Sequence, residues 1–500
     1  MTSGIDAHAM PAGHRTPQWV SDLIDQVLKR LNQATEANSA LALSQWLATF
    51  LWKNNTGVYR LDDIETALLR HCPTFETVAS GASASDAELH VATEVYPFGG
   101  HTSLMRQLIL TGPENACALL TGMNDRAVAA SRLGLAAHRI IMLEPSTDPW
   151  QRIAQLAQAM SGHEQVILHI HPNDLLSALA VRLLKQHTPN TRVSLVNHAD
   201  HAFSVGVGAV DRILEISRYG WSLRADRGSK SRSTFIGIPI AQPESIANSD
   251  GPSDEIKLLS GGSAYKYKPV PGMSLPATFG KLLRQHPNFR VTVIGPSKRD
   301  WWWWPLRLSQ GARFNLTQLM PKDAYMALLR SCTIYVDSHP LLGGTAFPEA
   351  LMRGCRVAGI RGLAWGYSPA DELCSDSEAT FMRQCAALAK GEPKALQHQQ
   401  EVRARCVADH APTGVRERLS HAMVSDELLP PPNSTIPEPS AEGLEREWHR
   451  KGQVLLPSRK ECPLTRDDRL WLTHQFAHRA GGLRSRSTWT LLRLALTTHR

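Results

Sequence analysis

From about residue 86 to residue 420 short apolar, β-branched runs alternate with amphipathic stretches of helical period, in two consecutive series. Such alternation predicts α/β units built on largely parallel sheets, because parallel neighbours need a crossover connection and that connection is usually a helix. The first series offers strands over Leu89 to Val95, Ala116 to Leu120, Arg139 to Leu143, Gln165 to Ile170, Arg192 to Val196 and Arg212 to Ile216. A polar break from Gln242 to Asp254 separates it from the second, which begins at Ile256 to Leu259. It continues through a helix over Phe279 to Gln285, a strand over Arg290 to Ile294, a helix over Lys322 to Arg330 and a strand over Cys332 to Val336. Two such units would face each other, and ligands of open α/β sheets bind beyond the carboxyl ends of the strands.

A chain of 500 residues exceeds one core, so two or three domains are expected. Residues 1–80 read as a helical region, with Val20, Leu23, Ile24, Val27, Leu28 and Leu31 on one helix face and Leu41, Leu43, Trp46, Leu47 and Phe50 on a second. The two α/β units are placed at residues 86–245 and 254–420, a proline-rich linker at residues 429–440 and a basic tail at residues 441–500. The formal net charge is +8, and the tail holds 12 Lys and Arg against 6 Asp and Glu. The body is therefore nearly neutral, which argues against a nucleic-acid-binding core and leaves an anionic lipid surface or an acidic partner for the tail. Eight cysteines without a CxxC pair fit a reducing cytoplasm. Neither a secretion signal nor a transmembrane run is expected.

Four motifs carry chemistry. The segment DSHPLLGGTAFPEALMRG, from Asp337 to Gly354, reads as strand, turn and helix. Gly343 and Gly344 permit a close backbone path, Thr345 could cap the helix, and Glu349 is left to accept hydrogen bonds from ribose hydroxyls, or simply to be solvated. At the first strand-to-helix turn stand Gly99, Gly100, His101 and Thr102; His101 would project into the cleft as proton acceptor or phosphate donor, with Thr102 as a helix cap. HIHPND and NHADHAF put His169, His171, His198, Asp200 and His201 at strand ends. The spacing of His169 and His171 suits a metal or a satisfied neutral pair, and neither cluster completes a zinc signature. SGGSAYKYKP sets Lys266 and Lys268 beside Gly261 and Gly262, a partner for diphosphate oxygens or a solvated loop. Trp301 to Trp304 could stack on a sugar or pack on their own domain.

Taken in order, GGHTS, NHADHAF followed by VDRILEIS, YKYKP and PLLGGTAFPEALMRG resemble the GT-B glycosyltransferases, with two facing Rossmann-like domains. Many retaining members carry two glutamates eight positions apart; eight before Glu349 is Leu341, so the chain is more similar to the inverting branch related to O-GlcNAc and bacterial protein glucosyltransferases. The resemblance implies a donor site in the second domain, with Lys266 or Lys268 and the Gly343 to Thr345 turn on the diphosphate and Glu349 on the ribose. It implies an acceptor site in the first domain, with His101, His198, Asp200 and His201 as candidate bases. The expected partners are a nucleotide sugar, with UDP by analogy, and a glycan, lipid-linked or protein acceptor in bacterial glycoconjugate assembly. No cofactor or metal is expected, since a DxD motif is missing, and the expected place is the cytoplasm or the inner membrane face. The rival readings are a metal-dependent hydrolase on His169, His171, His198 and His201, and a non-catalytic nucleotide-sugar-binding protein.

Overall fold

The computed structural model describes residues 16–73, 85–97, 100–122, 125–144, 146–241, 255–432, 443–444, 447–448, 454–458 and 461–479. Within them the two series fold as expected into two parallel sheets with helices packed around them. The first contains β1 (Ser85–Ala92), β2 (Cys117–Leu120), β3 (Ile140–Met142), β4 (His163–His169), β5 (Arg192–Val196), β6 (Arg212–Glu215) and β7 (Ser233–Phe235), in the order β3-β2-β1-β4-β5-β6-β7. The second contains β8 (Ile256–Gly261), β9 (Phe289–Gly295), β10 (Phe314–Gln318), β11 (Ile334–Val336), β12 (Arg356–Ile360) and β13 (Cys374–Ser375), ordered β10-β9-β8-β11-β12-β13. Strands β7, β10, β12 and β13 escape the periodicity argument. β7 and β13 are three and two residues long, too short to show a period. Within β12, Gly359 reads as a breaker, yet it is needed for close packing: a methyl there would stand 2.6 Å from Cys374 Sγ.

The N-terminal helices Gln18–Gln33, Ala37–Lys53 and Asp62–Leu69 are not a separate module. Trp46, Leu47 and Phe50 share one core with Val166 and Leu168 of β4 and Leu179 of helix Leu175–His187. Glu65, fully buried, takes the Arg182 Nε–H at 2.5 Å and the Gly206 amide at 2.7 Å. The tail joins the same core. In helix Arg466–Arg479, Leu472 and Phe476 are buried and Asp468 accepts from Arg30 Nη2 at 2.7 Å and from Ser39 Oγ at 2.7 Å. Helix Arg466–Arg479 is therefore packed on the protein as far as Phe476; Leu483, Trp489 and Leu491 to Leu496 lie outside the described residues, as do residues 433–440 of the proline-rich segment.

After the second sheet the chain returns to the first. Asp409, at the end of helix Pro393–His410, takes Arg218 Nε and Nη2 at 2.7 and 3.0 Å, and His410 Nδ1 accepts the Ile238 amide at 3.1 Å. From helix Pro412–Val424, Arg416 forms a bidentate pair with Glu88 of β1.

Candidate active site at the two switch points

In each sheet the strand order reverses once, between β1 and β4 and between β8 and β11, and connections leaving such a point diverge to open a crevice at the carboxyl ends. The polar residues of interest gather there. In the first sheet Glu88 and His90 are two residues apart on β1 and share a face. His90 Nδ1 lies 3.1 Å from His169 Nε2, and His169 Nδ1 lies 3.0 Å from His198 Nε2. His101, in the first turn of helix Gly100–Leu110, donates its Nε2–H to the His169 carbonyl at 2.9 Å and packs its ring on His198 with centroids 4.2 Å apart. Because a carbonyl only accepts, His101 Nδ1 holds a lone pair; that atom is buried and has no partner.

Burial lowers the pKa of His90, His101, His169 and His198, and like-charge repulsion between the rings adds to it at His169 and His198. These imidazoles are neutral at pH 7 and able to accept protons. Burial pushes the Glu88 carboxyl up, but hydrogen bonds and charge from Arg416 and His90 outweigh it and hold the group at about 2.

The other histidines go elsewhere. His171 bonds Asn173 and stands edge-on to Trp52 at 4.3 Å. His201 pairs with Asp200 at 3.1 Å and faces a small cavity lined by Asn54 to Tyr59, Phe203 and Leu444. Asp200 is buried and also accepts from Ser217, so it braces the loop after β5 and does not join the His101 and His198 pair. His171 and His201 thus turn away from the hydrogen-bonded His169 and His198, and among the described residues no three His, Cys, Asp or Glu side chains are arranged to hold a metal ion.

The second sheet supplies the facing turn. Asp337 follows β11, fully buried, and its Oδ1 accepts the Ser338 amide at 2.7 Å and the Gly343 amide at 2.9 Å. Only glycine fits at 343, where a methyl would stand 2.8 Å from that oxygen. Burial, then repulsion from Asp371, raises the Asp337 pKa to about 8, with Lys266 and the two amides pulling the other way. Lys266 donates Nζ–H to the Leu342 carbonyl at 3.2 Å, so it stands at the glycine turn, whereas Lys268 is exposed. Glu349 Oε1 is taken by Arg353 Nε and Nη2 at 3.1 and 2.7 Å, which leaves Oε2 for a ligand.

Neither threonine caps a helix. Thr345 precedes helix Ala346–Met352 in a helical conformation with no side-chain cap bond, and the third helical position, which would supply the amide, is Pro348. Thr102 sits inside its helix and its hydroxyl accepts the Tyr96 amide at 2.7 Å. Gly99 lies outside the described residues. Gly100 and Thr345 meet across the crevice: a methyl on Gly100 would stand 3.2 Å from Thr345 Oγ1. Beside them the Arg218 amide reaches the Tyr367 carbonyl at 3.1 Å, and Tyr219 and Tyr367 pack with centroids 5.2 Å apart. The tryptophans divide, Trp303 buried on Phe314 and Trp301 and Trp304 exposed.

One residue pair and one single residue of the site do not stand out from the sequence reading. Glu88 and His90 form a polar pair at strand spacing within an otherwise apolar run, which is a readable signal. Asp337 carries the signal of a carboxylate at the end of a strand, just ahead of a glycine turn.

Neither a protein-family model nor a curated protein sequence matches the chain. Among solved structures, an O-GlcNAc transferase mutant from Thermobaculum terrenum matches with a TM-score of 0.50 at 12% identity, over 87% of this chain and 83% of that one. Anabaena HepE in complex with UDP matches with a TM-score of 0.50 at 11% identity, over 67% of this chain and 99% of that one. The fold is GT-B. At these identities the likeness is one of fold, and the GT-B frame is what brings the histidine cluster and the Asp337 turn to face each other.

Proposed function

We propose that the protein is a glycosyltransferase that moves a sugar from a nucleotide-sugar donor to a glycan, lipid-linked or protein acceptor. The observation that carries this reading is the meeting of Gly100 and Thr345, which sets neutral imidazoles of the first switch point opposite the lysine and glycine turn of the second. In this reading Lys266 and the amides around Gly343 and Gly344 hold the diphosphate, Glu349 Oε2 takes the ribose, and His101 or His198 receives the acceptor proton. UDP is the nucleotide to try first, because it is the one bound in HepE. The departing diphosphate is neutralised by Lys266 and backbone amides without a metal ion.

Calorimetry with UDP and UDP-sugars in EDTA tests the proposal. Lys266→Ala should weaken UDP about 10- to 100-fold, the ~1.5–3 kcal/mol of a hydrogen bond to a charged group. Lys268→Ala should cost under about 1 kcal/mol because the side chain is exposed. Equal effects, or binding that requires a divalent ion, would count against this donor site.

Asp337 adds a pH dependence. With its pKa raised from the carboxylate range to about 8, the folded state keeps a proton that the unfolded state has lost, so this group's contribution to stability falls as pH rises from about 4 to 8. The new charge would also repel a diphosphate. UDP affinity should decline as pH passes about 8, and Asp337→Asn should flatten both curves. An unchanged slope in the folded variant would reject the assignment.

Residues 481–500 hold four arginines and no acid among Leu483, Trp489 and Leu491 to Leu496, and we assign them to an anionic membrane surface at which a lipid-linked acceptor would lie. No helix of the described residues is long and apolar enough to cross a membrane. A chain ended after Arg479, which keeps Phe476 in the core, should stay in solution where the full chain pellets with anionic vesicles at low salt. Equal sedimentation of the two would remove this segment from the proposal.

A further inference from the structure

Glu88, His90, His169 and His198 form one line of polar contacts from inside the first sheet to its carboxyl edge. Each neutral imidazole has one N–H and one lone pair. The two ring-to-ring hydrogen bonds, 3.1 Å between His90 and His169 and 3.0 Å between His169 and His198, therefore run in one direction or the other as a unit. If they run away from Glu88, His90 Nε2 turns a lone pair toward the carboxylate 3.6 Å away. If they run toward it, His90 presents Nε2–H to that negative charge. His90 Nε2 is fully buried with no partner at hydrogen-bond distance, so the Glu88 carboxylate, kept ionised by Arg416, acts on it as a nearby charge and makes the second arrangement the stable one.

We infer that Glu88 sets the tautomers of three imidazoles in series and thereby makes His198 Nδ1 the proton acceptor of the first domain. In the selected arrangement His198 donates Nε2–H to His169 Nδ1, and His169 donates Nε2–H to His90 Nδ1. His198 is left with a bare Nδ1 beside His101, at the edge where the acceptor would enter. Successive N–H dipoles point toward the carboxylate and polarise one another, which raises the electron density at that nitrogen. The logic is that of a carboxylate orienting a catalytic histidine in hydrolases, extended through two further rings.

This deepens the transferase reading and rests on it for the chemical step. The acceptor O–H bond breaks and its proton goes to His198 Nδ1. The oxygen bonds the anomeric carbon, whose bond to the nucleotide breaks, and the nucleoside diphosphate leaves with the electron pair. Glu88, His90 and His169 touch no substrate and are positioning residues.

The test reads tautomers directly, through long-range proton–nitrogen correlation spectra of the ¹⁵N-histidine-labelled full chain at neutral pH. The expected result is His198 protonated on Nε2 with Nδ1 bare, shifting to a mixture of tautomers in Glu88→Gln. Because that variant strips Arg416 of its partner and could fail to fold, His90→Phe breaks the line while leaving the Glu88 and Arg416 pair intact, and should have the same effect on His198. A wild-type His198 protonated on Nδ1, or a His198 signal unaltered in either folded variant, overturns the inference. With a transferable donor, kcat should fall at least about 10-fold in both variants at unchanged UDP affinity, with the ~10⁴-fold loss that follows removal of a histidine-orienting carboxylate in hydrolases as the upper end. Absence of binding by the wild type to UDP, GDP, dTDP and CMP alike would refute the transferase reading and leave the tautomer result standing on its own.

Discussion

Arg227→Met is expected to destabilise the protein by roughly 3–5 kcal/mol, the cost of breaking a buried ion pair from one side. Arg227 is 1% exposed and Glu215 fully buried; Nη1 meets Glu215 Oε1 at 2.9 Å and Nη2 meets the Asp200 carbonyl at 2.7 Å. Glu215 also accepts from Asn197 at 2.7 Å and Ser233 at 3.0 Å, so one carboxylate ties β5, β6 and β7 together. Removing the arginine leaves that charge inside with only neutral donors. Denaturant melts should show the loss, and the double variant Arg227→Met with Glu215→Gln should recover a large part of it, because the stranded charge is then gone. A single-variant loss below about 1 kcal/mol would mean that the pair is not buried in solution.

The largest effect on turnover is expected at His198. His198→Ala should lower kcat by about 10²–10⁴, the usual contribution of a positioned acid–base group, at unchanged UDP affinity. His101→Ala should act differently. Its buried Nδ1 lacks a partner and is free to accept from a substrate hydroxyl, so the loss should appear chiefly as a raised KM for the acceptor. Interchanged signatures would exchange the two roles, and normal kcat in both variants would remove the pair from the reaction.

The strand and helix series was legible because parallel strands buried on both faces are continuous apolar runs; the reading of Arg192 to Val196 coincides with β5. Short edge strands such as Ser233–Phe235 were not, since three residues carry no period. At the site, His101, Lys266 and Gly343 stood out because glycine turns at strand ends are local features. The separation of His198 from Asp200 and His201 was not readable: three residues within four positions of one loop point to a neighbouring imidazole, a serine and a remote cavity, and only tertiary packing decides which. Helix capping failed as a guide for a related reason. Thr345 has the right side chain, but Pro348 removes the amide it would need.

The joining of the N-terminal helices and helix Arg466–Arg479 in one core has a consequence for biosynthesis. Arg30 and Ser39 wait for Asp468, while Trp19, Trp46 and Phe50 wait for Phe476, which packs on them with ring centroids 6.0 to 6.1 Å apart. A ribosome adding ~5–20 residues per second therefore releases the apolar faces of the first helices long before their last partners exist. Until then the nascent N-terminal half carries an open aromatic surface, and a chaperone or an early contact with the adjoining sheet must shield it. The second sheet faces no such delay: its strands and the helices that cover them are contiguous in the chain, so it can be completed while the first half is still unfinished.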